Sequence, residues 1–421
     1  MIRIAIIHNE YGRFSGEEAV VDGLAELLGR KGHEVMRFTR SSAEIPGTPL
    51  GQARAFLGGV YNPASRRAFR RFLAERKPDV INIHNLYPLI SPAVLPECRR
   101  AGIPVVMTVH NYRLICPSGL FLSRGEICER CAGGREYWCL LRNCEGAVSK
   151  SLGYALRNAV ARRFGMYSKN VQVFACLTDF QRRKLIDAGV PEERTVVIPN
   201  SIDISRDGAK HVTSGHYVGF VGRVSREKGL DILLCAARSR PDIPFQIAGH
   251  ANEGDPLLKD LPPNLALRGH LAGSDLAEFY RHARMIVMQS RCYEGFPTVL
   301  LEAMQHGKPA IGPRLGGIPE IIEDGTTGLL FEPGSLRSYA ASISRLWDSP
   351  ELCAAMGEAA RKRLASEYSS ERYYERFMSA AELAKQLLPR KYRTIGMPLQ
   401  RPKRSQGPND PTHGKVNSHA L

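Results

Sequence analysis

Short apolar runs alternate with longer amphipathic stretches through most of this chain. In the first half, the apolar runs predict β-strands at Ile2–Ile7, His33–Phe38, Val80–His84, Val105–Val109, Val173–Leu177 and Val196–Ile198. The stretches between them have helical periodicity, for example Ala19–Arg30 and Gln181–Ala188. Strands that alternate with helices predict a parallel sheet whose crossover connections are right-handed.

The same alternation resumes after a polar, turn-rich segment, Pro199–Gly215, which we interpret as a linker. Strands are predicted from Tyr217 and at Pro244–His250, Leu265–Leu271 and Met285–Gln289, and helices at Asp275–Ala283, Pro350–Glu367 and Ser370–Leu388. A chain of 421 residues exceeds what one hydrophobic core usually supports. We therefore predict two α/β domains.

The segment Cys292–Gly312, CYEGFPTVLLEAMQHGKPAIG, condenses a loop, a short helix and a buried strand into few residues. Pro297 suits the first helical position, and Gly307 is expected to end the helix. The arrangement places one carboxylate, Glu294, just ahead of the helix and a second, Glu302, inside it. Two solvated acids on a capped surface helix would give the same spacing.

The start of this helix suits ligand binding. The backbone N–H groups of Gly295, Phe296 and Thr298 are predicted at a helix N-terminus, which favours an anion or a hydroxyl-rich ligand. The apolar run MIVMQS puts Glu294 at the carboxyl end of a buried strand, where open α/β sheets bind ligands.

The stretch EGFPTVLLEAMQHGKPAIG resembles the signature of the retaining glycosyltransferases of family 4, in which seven residues separate two glutamates. The likeness continues through GGIPEIIEDGTTGLL, Gly316–Leu330. It implies the GT-B fold, an α/β architecture of two doubly wound Rossmann-like domains that face a cleft. It also implies transfer of a sugar from a nucleotide-diphosphate donor to a hydroxyl acceptor, with retention of anomeric configuration.

The resemblance assigns roles and boundaries within that fold. Glu302 would accept hydrogen bonds from ribose hydroxyls, and Glu294 would hold sugar hydroxyls together with Gly295, Phe296, Pro297 and Thr298. Glu294 is not expected to act as a covalent nucleophile. The predicted boundaries are residues 1–205 for the acceptor-side domain, 206–370 for the donor domain, 371–388 for a helix that crosses back, and 389–421 for a basic, disordered tail.

Two cations in GRVSREKGL provide the chemistry that a leaving pyrophosphate needs. Arg223 and Lys228 flank a glycine turn that begins at Gly222 and leads into a helix. The same spacing also occurs in ordinary solvated loops. In family 4 the matching cations contact the donor diphosphate, so we expect Arg223 and Lys228 to stabilise its charge during transfer.

Candidate residues in the first domain follow its strands. A Ser-Gly turn ends at Gly16 and opens a helix, and it matches the family loop at the donor–acceptor cleft, so Gly16 and Glu17 are candidates. His84 and His110 each end an apolar strand. Family members commonly carry a histidine that meets the donor sugar at the place of His110, and we assign His84 to the wall of the site.

A cysteine-rich insertion spans residues 116–144. Cys128 and Cys131, followed by Cys139 and Cys144, supply thiols at a spacing typical of structural zinc sites, and Cys116 could replace one of them. Free thiols in a long loop, or a redox pair, are the alternatives. No metal or other cofactor is expected in catalysis, because the sequence lacks an Asp-x-Asp motif.

The net charge of +16 is uneven. Basic residues dominate the tail from Pro389 and a predicted amphipathic helix that contains Arg66, Arg67, Arg70, Arg71, Arg76 and Lys77. This helix either packs on the core with a solvated cationic face or binds an anionic membrane surface. Nucleic acid is the less suitable partner, because no recognition motif accompanies the charge.

These features predict a cytoplasmic enzyme, peripheral on the inner face of the membrane. The opening MIRIAIIHN is too short for a secretory signal, and no apolar run approaches the ~20 residues of a membrane span. A lipid-linked glycan in cell-surface polysaccharide assembly is the expected acceptor. The alternatives are a GT-B epimerase or phosphorylase, and a sugar-nucleotide-binding scaffold without turnover.

Overall fold

The computed structural model describes residues 1–12, 16–45, 47–203, 215–250, 254 and 256–393. The described residues form two α/β domains, as the sequence predicts, and each domain is built on a parallel sheet of six strands. A small antiparallel hairpin lies in the cysteine-rich insertion.

The strands of the first domain are β1 (Arg3–Glu10), β2 (Glu34–Ser41), β3 (Val80–Ile83), β4 (Val105–Val109), β7 (Val173–Cys176) and β8 (Thr195–Val197), and the hairpin is β5 (Leu122–Ser123) and β6 (Glu126–Ile127). The sheet order is β2-β1-β3-β4-β7-β8, and every pairing is parallel. The helices are α1 (Gly16–Arg30), α2 (Pro49–Val60), α3 (Pro63–Arg76), α4 (Leu95–Arg100), α5 (Tyr137–Leu141), α6 (Val148–Arg163) and α7 (Asp179–Asp187).

The strands of the second domain are β9 (Tyr217–Val221), β10 (Phe245–Ala248), β11 (Leu265–Leu267), β12 (Ala283–Val287), β13 (Ala310–Pro313) and β14 (Gly328–Phe331). Their order, β11-β10-β9-β12-β13-β14, is the doubly wound Rossmann order. The helices are α8 (Leu230–Ser239), α9 (Gly273–His282), α10 (Thr298–Gln305), α11 (Ile318–Ile321), α12 (Leu336–Trp347), α13 (Pro350–Glu367), α14 (Ser370–Leu387) and α15 (Arg390–Arg393).

The order of the strands reverses at β1 and β3 in the first sheet and at β9 and β12 in the second. Open α/β sheets bind ligands outside the carboxyl ends of the strands at such switch points. The two loops that carry Arg223, Lys228 and Glu294 leave β9 and β12, so the fold places them together at the switch point of the second domain.

The C-terminal helix α14 returns to the first domain. Its apolar face, with Tyr373, Phe377 and Ala384, joins the core that includes Ile4 and Ile6 of β1. The chain crosses between the domains twice at one place, because Ile202 and Ser369 form an isolated β-bridge.

Helix α3 contains the predicted basic amphipathic helix, and it uses part of its charge within the protein. Phe69 and Leu73 are buried in the core of the first domain. On the cationic face, Arg66 and Arg70 bind the carboxylate of Glu97 at 2.6 and 2.9 Å. The Glu97 side chain is only 3% exposed, and Arg100 also binds it. These contacts favour the core-packing interpretation for this part of the helix.

Replacement of Glu97 by glutamine is expected to lower the free energy of unfolding by about 2–3 kcal/mol at neutral pH, because the arginines lose a buried partner. Burial raises the pKa of Glu97, but Arg70 and Arg66 outweigh it, and the net pKa lies below the ordinary 4.5. The stabilisation is therefore present above pH 4.5 and lost as pH falls through the lower folded-state pKa. Urea unfolding of wild type and Glu97→Gln across this range measures it, and Glu75→Gln, which alters an exposed acid of α3, is the matched control.

The predicted tail begins later than expected. Residues 390–393 form α15, and Arg99 of the first domain lies over the ring of Tyr392 at 5.6 Å. The remainder of the tail lies outside the described residues, as does most of the predicted linker. Within the described part of the chain, no helix is long and apolar enough to cross a membrane.

Candidate active site

The loops after β9 and β12 pack tightly against each other. Gly229 has a left-handed backbone with φ of 72°, and a Cβ atom there would lie 2.1 Å from the carbonyl oxygen of Gln289. Only glycine allows this approach, which holds the turn containing Lys228 against the end of β12.

Lys228 and Glu294 form an ion pair across the two loops. The Lys228 Nζ atom lies 2.7 Å from Glu294 Oε1, and the hydroxyl of Ser290 donates to the same oxygen. Burial raises the pKa of Glu294, but Lys228 and Ser290 outweigh it and the net pKa is lowered. Burial also opposes the charge of Lys228, and Glu294 restores it, so the Lys228 pKa is raised. Both groups are therefore charged at neutral pH.

Arg223 lies in the same loop but reaches into solvent. Its side chain is 70% exposed and forms an ion pair with Glu227 at 3.3 Å. Its charge also contributes to lowering the pKa of Glu294. The exposed Arg223 guanidinium and the nearby Lys228 ammonium could therefore both donate hydrogen bonds to a diphosphate.

Glu302 lies on α10, where it is held by a neighbouring helix. The hydroxyl of Tyr280 on α9 donates to Glu302 Oε2 at 2.5 Å, and the Tyr280 ring stacks on His306. Burial raises the pKa of Glu302, and the hydrogen bond from Tyr280 opposes this only in part. The two glutamates thus have different settings: one is paired with a cation, the other with a neutral hydroxyl.

Helix α10 begins one residue later than predicted. Pro297 is the N-cap rather than the first helical residue, and Thr298 begins the helix. Phe296 packs in the core of the second domain, beside Leu300 and Met304. Its contribution to a ligand is therefore restricted to its backbone.

The first domain lies against the start of α10, and two of the predicted residues, Gly16 and Gly295, take part in this contact. A Cβ atom at Gly295 would lie 2.2 Å from the carbonyl oxygen of His110, and one at Gly16 would lie 3.6 Å from the hydroxyl of Thr298. Gly222, a third predicted glycine, directly follows β9 and has a positive φ of 147°. The fold therefore brings residues predicted from separate motifs to one cleft.

Three histidines line the first-domain side. His110 Nε2 lies 2.6 Å from His84 Nδ1, and the ring of His8 meets that of His84 edge-on. Burial lowers the pKa of all three, to about 4 for His110, so they are neutral at neutral pH.

His8 was not predicted from the sequence, whereas its partner Glu17 was a candidate residue. His8 Nδ1 lies 3.8 Å from Glu17 Oε1, and Tyr11 donates to the other oxygen of Glu17 at 2.8 Å. Arg113 in turn donates to the Tyr11 hydroxyl at 3.2 Å. The polar end of the apolar run IAIIH was the available signal for His8, but the contact with Arg113 spans about 100 residues and leaves no local pattern.

The cysteine-rich insertion contacts the loop that carries Glu294. Tyr293, which directly precedes Glu294, packs against Phe121 and donates to Glu129 at 2.9 Å. Lys184 of α7 binds the same carboxylate at 2.7 Å. The insertion belongs to the first domain, and it therefore supports the Glu294 loop of the second domain from across the cleft.

The structure does not arrange the four predicted zinc ligands as a metal site. Among the described residues, no group of three or more His, Cys, Asp or Glu side chains is placed to hold a metal ion. The thiols interact most strongly in two pairs, Cys116 with Cys131 and Cys139 with Cys144, the two pairs also influence each other's charge, and Cys128 is half-buried. The thiol partner lowers the pKa of Cys116 to about 6 and that of Cys144 to about 7. Zinc, free thiols and a redox pair therefore all stay predictions for this insertion.

Comparisons with known proteins agree with the fold. A family model described as Glycosyltransferase Family 4 matches residues 14–206, and one described as Glycosyl transferases group 1 matches residues 201–363. The structure of HepE from Anabaena in complex with UDP and glucose superposes with a TM-score of 0.62 at 18% identity, over 91% of this chain and 100% of that one.

Two curated relatives give similar results over part of their length. Glycogen synthase of Mycobacterium tuberculosis is 25% identical over 69% of this chain. The GDP-mannose-dependent alpha-mannosyltransferase of Corynebacterium glutamicum is 34% identical over 41%. The matches span 66% of the first relative, just under two thirds, and 40% of the second. Because the family matches together run from residue 14 to residue 363 on a two-domain Rossmann-like fold, the chain belongs to the GT-B glycosyltransferases, with a family 4 first domain and a group 1 second domain.

Proposed function

We propose that this protein is a retaining glycosyltransferase that moves a sugar from a nucleotide-diphosphate donor to a hydroxyl of a lipid-linked glycan. The ion pair of Lys228 with Glu294 at the β9–β12 switch point, beside the exposed Arg223, carries the proposal. A diphosphate is the ligand that most needs two cations at such a place.

The proposed donor lies along the second domain. Its diphosphate accepts hydrogen bonds from Lys228 and Arg223, and its ribose hydroxyls donate to Glu302. The sugar lies towards Glu294, whose carboxylate accepts from sugar hydroxyls while it keeps Lys228 charged. The backbone of Gly295 and the carbonyl oxygen of His110, which the structure places in contact, close the other side.

In the transfer step, the bond between the anomeric carbon and the phosphate oxygen breaks, and negative charge grows on the leaving diphosphate. Arg223 and Lys228 stabilise this charge, which is the main electrostatic demand of the reaction. The acceptor oxygen forms the new glycosidic bond, and its proton passes to an oxygen of the leaving diphosphate. The neutral histidines and Glu17 line the first-domain side, where we place the acceptor hydroxyl.

Donor binding is tested by thermal unfolding with UDP, GDP, ADP and their common sugar conjugates. We expect one nucleotide to raise the unfolding midpoint selectively, since a ligand at 100 times its Kd stabilises by about 2.7 kcal/mol. Incubation with the matching sugar nucleotide and bacterial lipid extract should then give a glycolipid, and NMR of its anomeric proton reports retention. Binding without transfer or donor hydrolysis would favour the scaffold alternative, and no shift with any nucleotide would contradict the proposal.

A further inference from the structure

Large exposed apolar side chains concentrate on one part of the first domain. Of the twelve that the described residues contain, eight lie on or beside α2, α5 and α6: Leu57, Tyr61, Tyr137, Leu141, Val148, Leu152, Leu156 and Phe164. Soluble surfaces carry scattered apolar residues, but a concentration on neighbouring helices marks an interaction site.

Helix α6 has two faces with different surroundings. Val148, Leu152 and Leu156 follow one another at intervals of four residues, so they form one stripe, and they are 63%, 44% and 41% exposed. The opposite face is buried, where Arg157 donates to the carbonyl of Pro117 and Asn158 donates to that of Arg113. The helix therefore separates the candidate site from an apolar outer surface.

Neighbouring helices extend the stripe. A Cβ atom at Gly153 of α6 would lie 2.4 Å from the ring of Phe56, so α2 packs directly against α6 and brings Leu57, which is 63% exposed. Helix α5 also packs on α6 and brings Leu141, which is 64% exposed. We define the α6 face as these apolar residues: Leu57, Leu141, Val148, Leu152, Leu156 and Phe164.

The surrounding charge is almost entirely positive. Residues 146–169 contain five lysines and arginines and no acid, and residues 49–77 contain seven and one acid. Lys150 and Arg162 have partners in Glu145 and Glu136, whereas Arg54 and Arg163 are exposed. Two copies of such a face would repel each other, and an apolar stripe with a cationic border suits the headgroup region of an anionic bilayer.

We propose that the α6 face is the surface with which the protein lies on an anionic lipid bilayer, with Leu152 and Leu156 inserted among the headgroups. In this proposal the α6 face, rather than the basic face of α3, binds the membrane, because Arg66 and Arg70 of α3 already bind Glu97. The inference deepens the proposed function by locating the membrane that would supply a lipid-linked acceptor. Vesicle binding itself does not depend on the donor chemistry.

Vesicle flotation with the full chain tests the proposal. We expect binding to vesicles of phosphatidylcholine with phosphatidylglycerol and little to phosphatidylcholine alone. The double variant Leu152→Ser/Leu156→Ser is expected to bind the anionic vesicles at least about tenfold more weakly. The matched control is Leu267→Ser/Leu336→Ser, which removes two leucines of 40% and 38% exposure from the second domain.

Other variants separate the competing surfaces. Undiminished binding by Leu152→Ser/Leu156→Ser, or complete loss in a chain that ends at Arg393, would overturn the proposal, the latter in favour of the basic tail. A wild-type dimer that ignores vesicles and that the double variant dissociates would assign the face to a second copy and overturn it too. Hydrogen exchange of wild type with vesicles should protect α6, independently of how the variants fold. Vesicle binding without any nucleotide-induced thermal shift would contradict the proposed transferase alone.

Discussion

Replacing Lys228 with alanine is expected to reduce sugar transfer by about 10²–10³-fold, the usual effect of removing one donor that stabilises developing charge. The variant loses a cation from the proposed diphosphate site and leaves Glu294 without its 2.7 Å partner. Initial rates with saturating donor measure the effect. Arg226→Ala removes an exposed cation from the same turn and should retain wild-type turnover.

A second pair of variants separates the two roles of Lys228. In Lys228→Met/Glu294→Gln, the charge is removed from both partners, so no buried carboxylate is left uncompensated. If Lys228 acts on the diphosphate, the double variant should fold as stably as wild type and remain inactive. Recovery of wild-type turnover in the double variant would show that Lys228 serves only to neutralise Glu294, and would contradict its assigned role.

Replacing Glu302 with glutamine is expected to weaken nucleotide binding by about 10–100-fold, because hydrogen bonds from ribose hydroxyls to a charged acceptor are among the stronger ones. Calorimetric titration with the nucleotide identified by thermal unfolding measures the change. Glu278→Gln, which alters an exposed acid on the neighbouring α9, is the matched control. Unchanged affinity in Glu302→Gln would place the ribose elsewhere.

The pH dependence of binding gives an independent check on Glu302. Burial raises its pKa above the ordinary 4.5, so it becomes protonated at a higher pH than a solvated glutamate. A protonated carboxyl is a weaker acceptor, and nucleotide affinity should therefore fall as pH decreases towards that raised pKa. Tyr280→Phe removes a hydrogen bond that stabilises the charged form, so the fall should begin at a still higher pH.

The pattern of short apolar runs predicted every strand of the first sheet and every strand of the second except β14. Parallel strands buried on both faces are continuous apolar runs, and Val105–Val109 and Val173–Cys176 have this form. The observed strand boundaries differ from the predicted ones by a few residues where a strand extends beyond its apolar run. Strand β1, for example, continues through polar residues to Glu10. Local chemistry also located Glu294, Glu302, Arg223 and Lys228, because a turn and a helix start leave compositional marks.

Residues far apart in the chain decided the remaining features. The basic residues of α3 left core packing and membrane binding open as alternatives. The contact of Arg66 and Arg70 with Glu97, which lies on another helix, depends on packing and could not be predicted locally. The cysteine spacing predicted a structural zinc site, which stays a prediction, and only the fold set Cys116 beside Cys131 and Cys139 beside Cys144. Spacing constrains which ligands lie on one loop, but not which of their sulfur atoms meet.

The sequence by itself determined the two-domain α/β architecture and the family, and it supplied the candidate donor-site residues, because these depend on local periodicity and on contiguous motifs. Only the tertiary structure joined Lys228 to Glu294, brought His8 to both Glu17 and His84, and exposed Leu152 and Leu156 on the outer face of α6. Apolar periodicity shows that a helix has an apolar side. Whether that side is covered depends on the elements that pack around it, and in α6 the described residues leave the stripe from Val148 to Leu156 open to solvent.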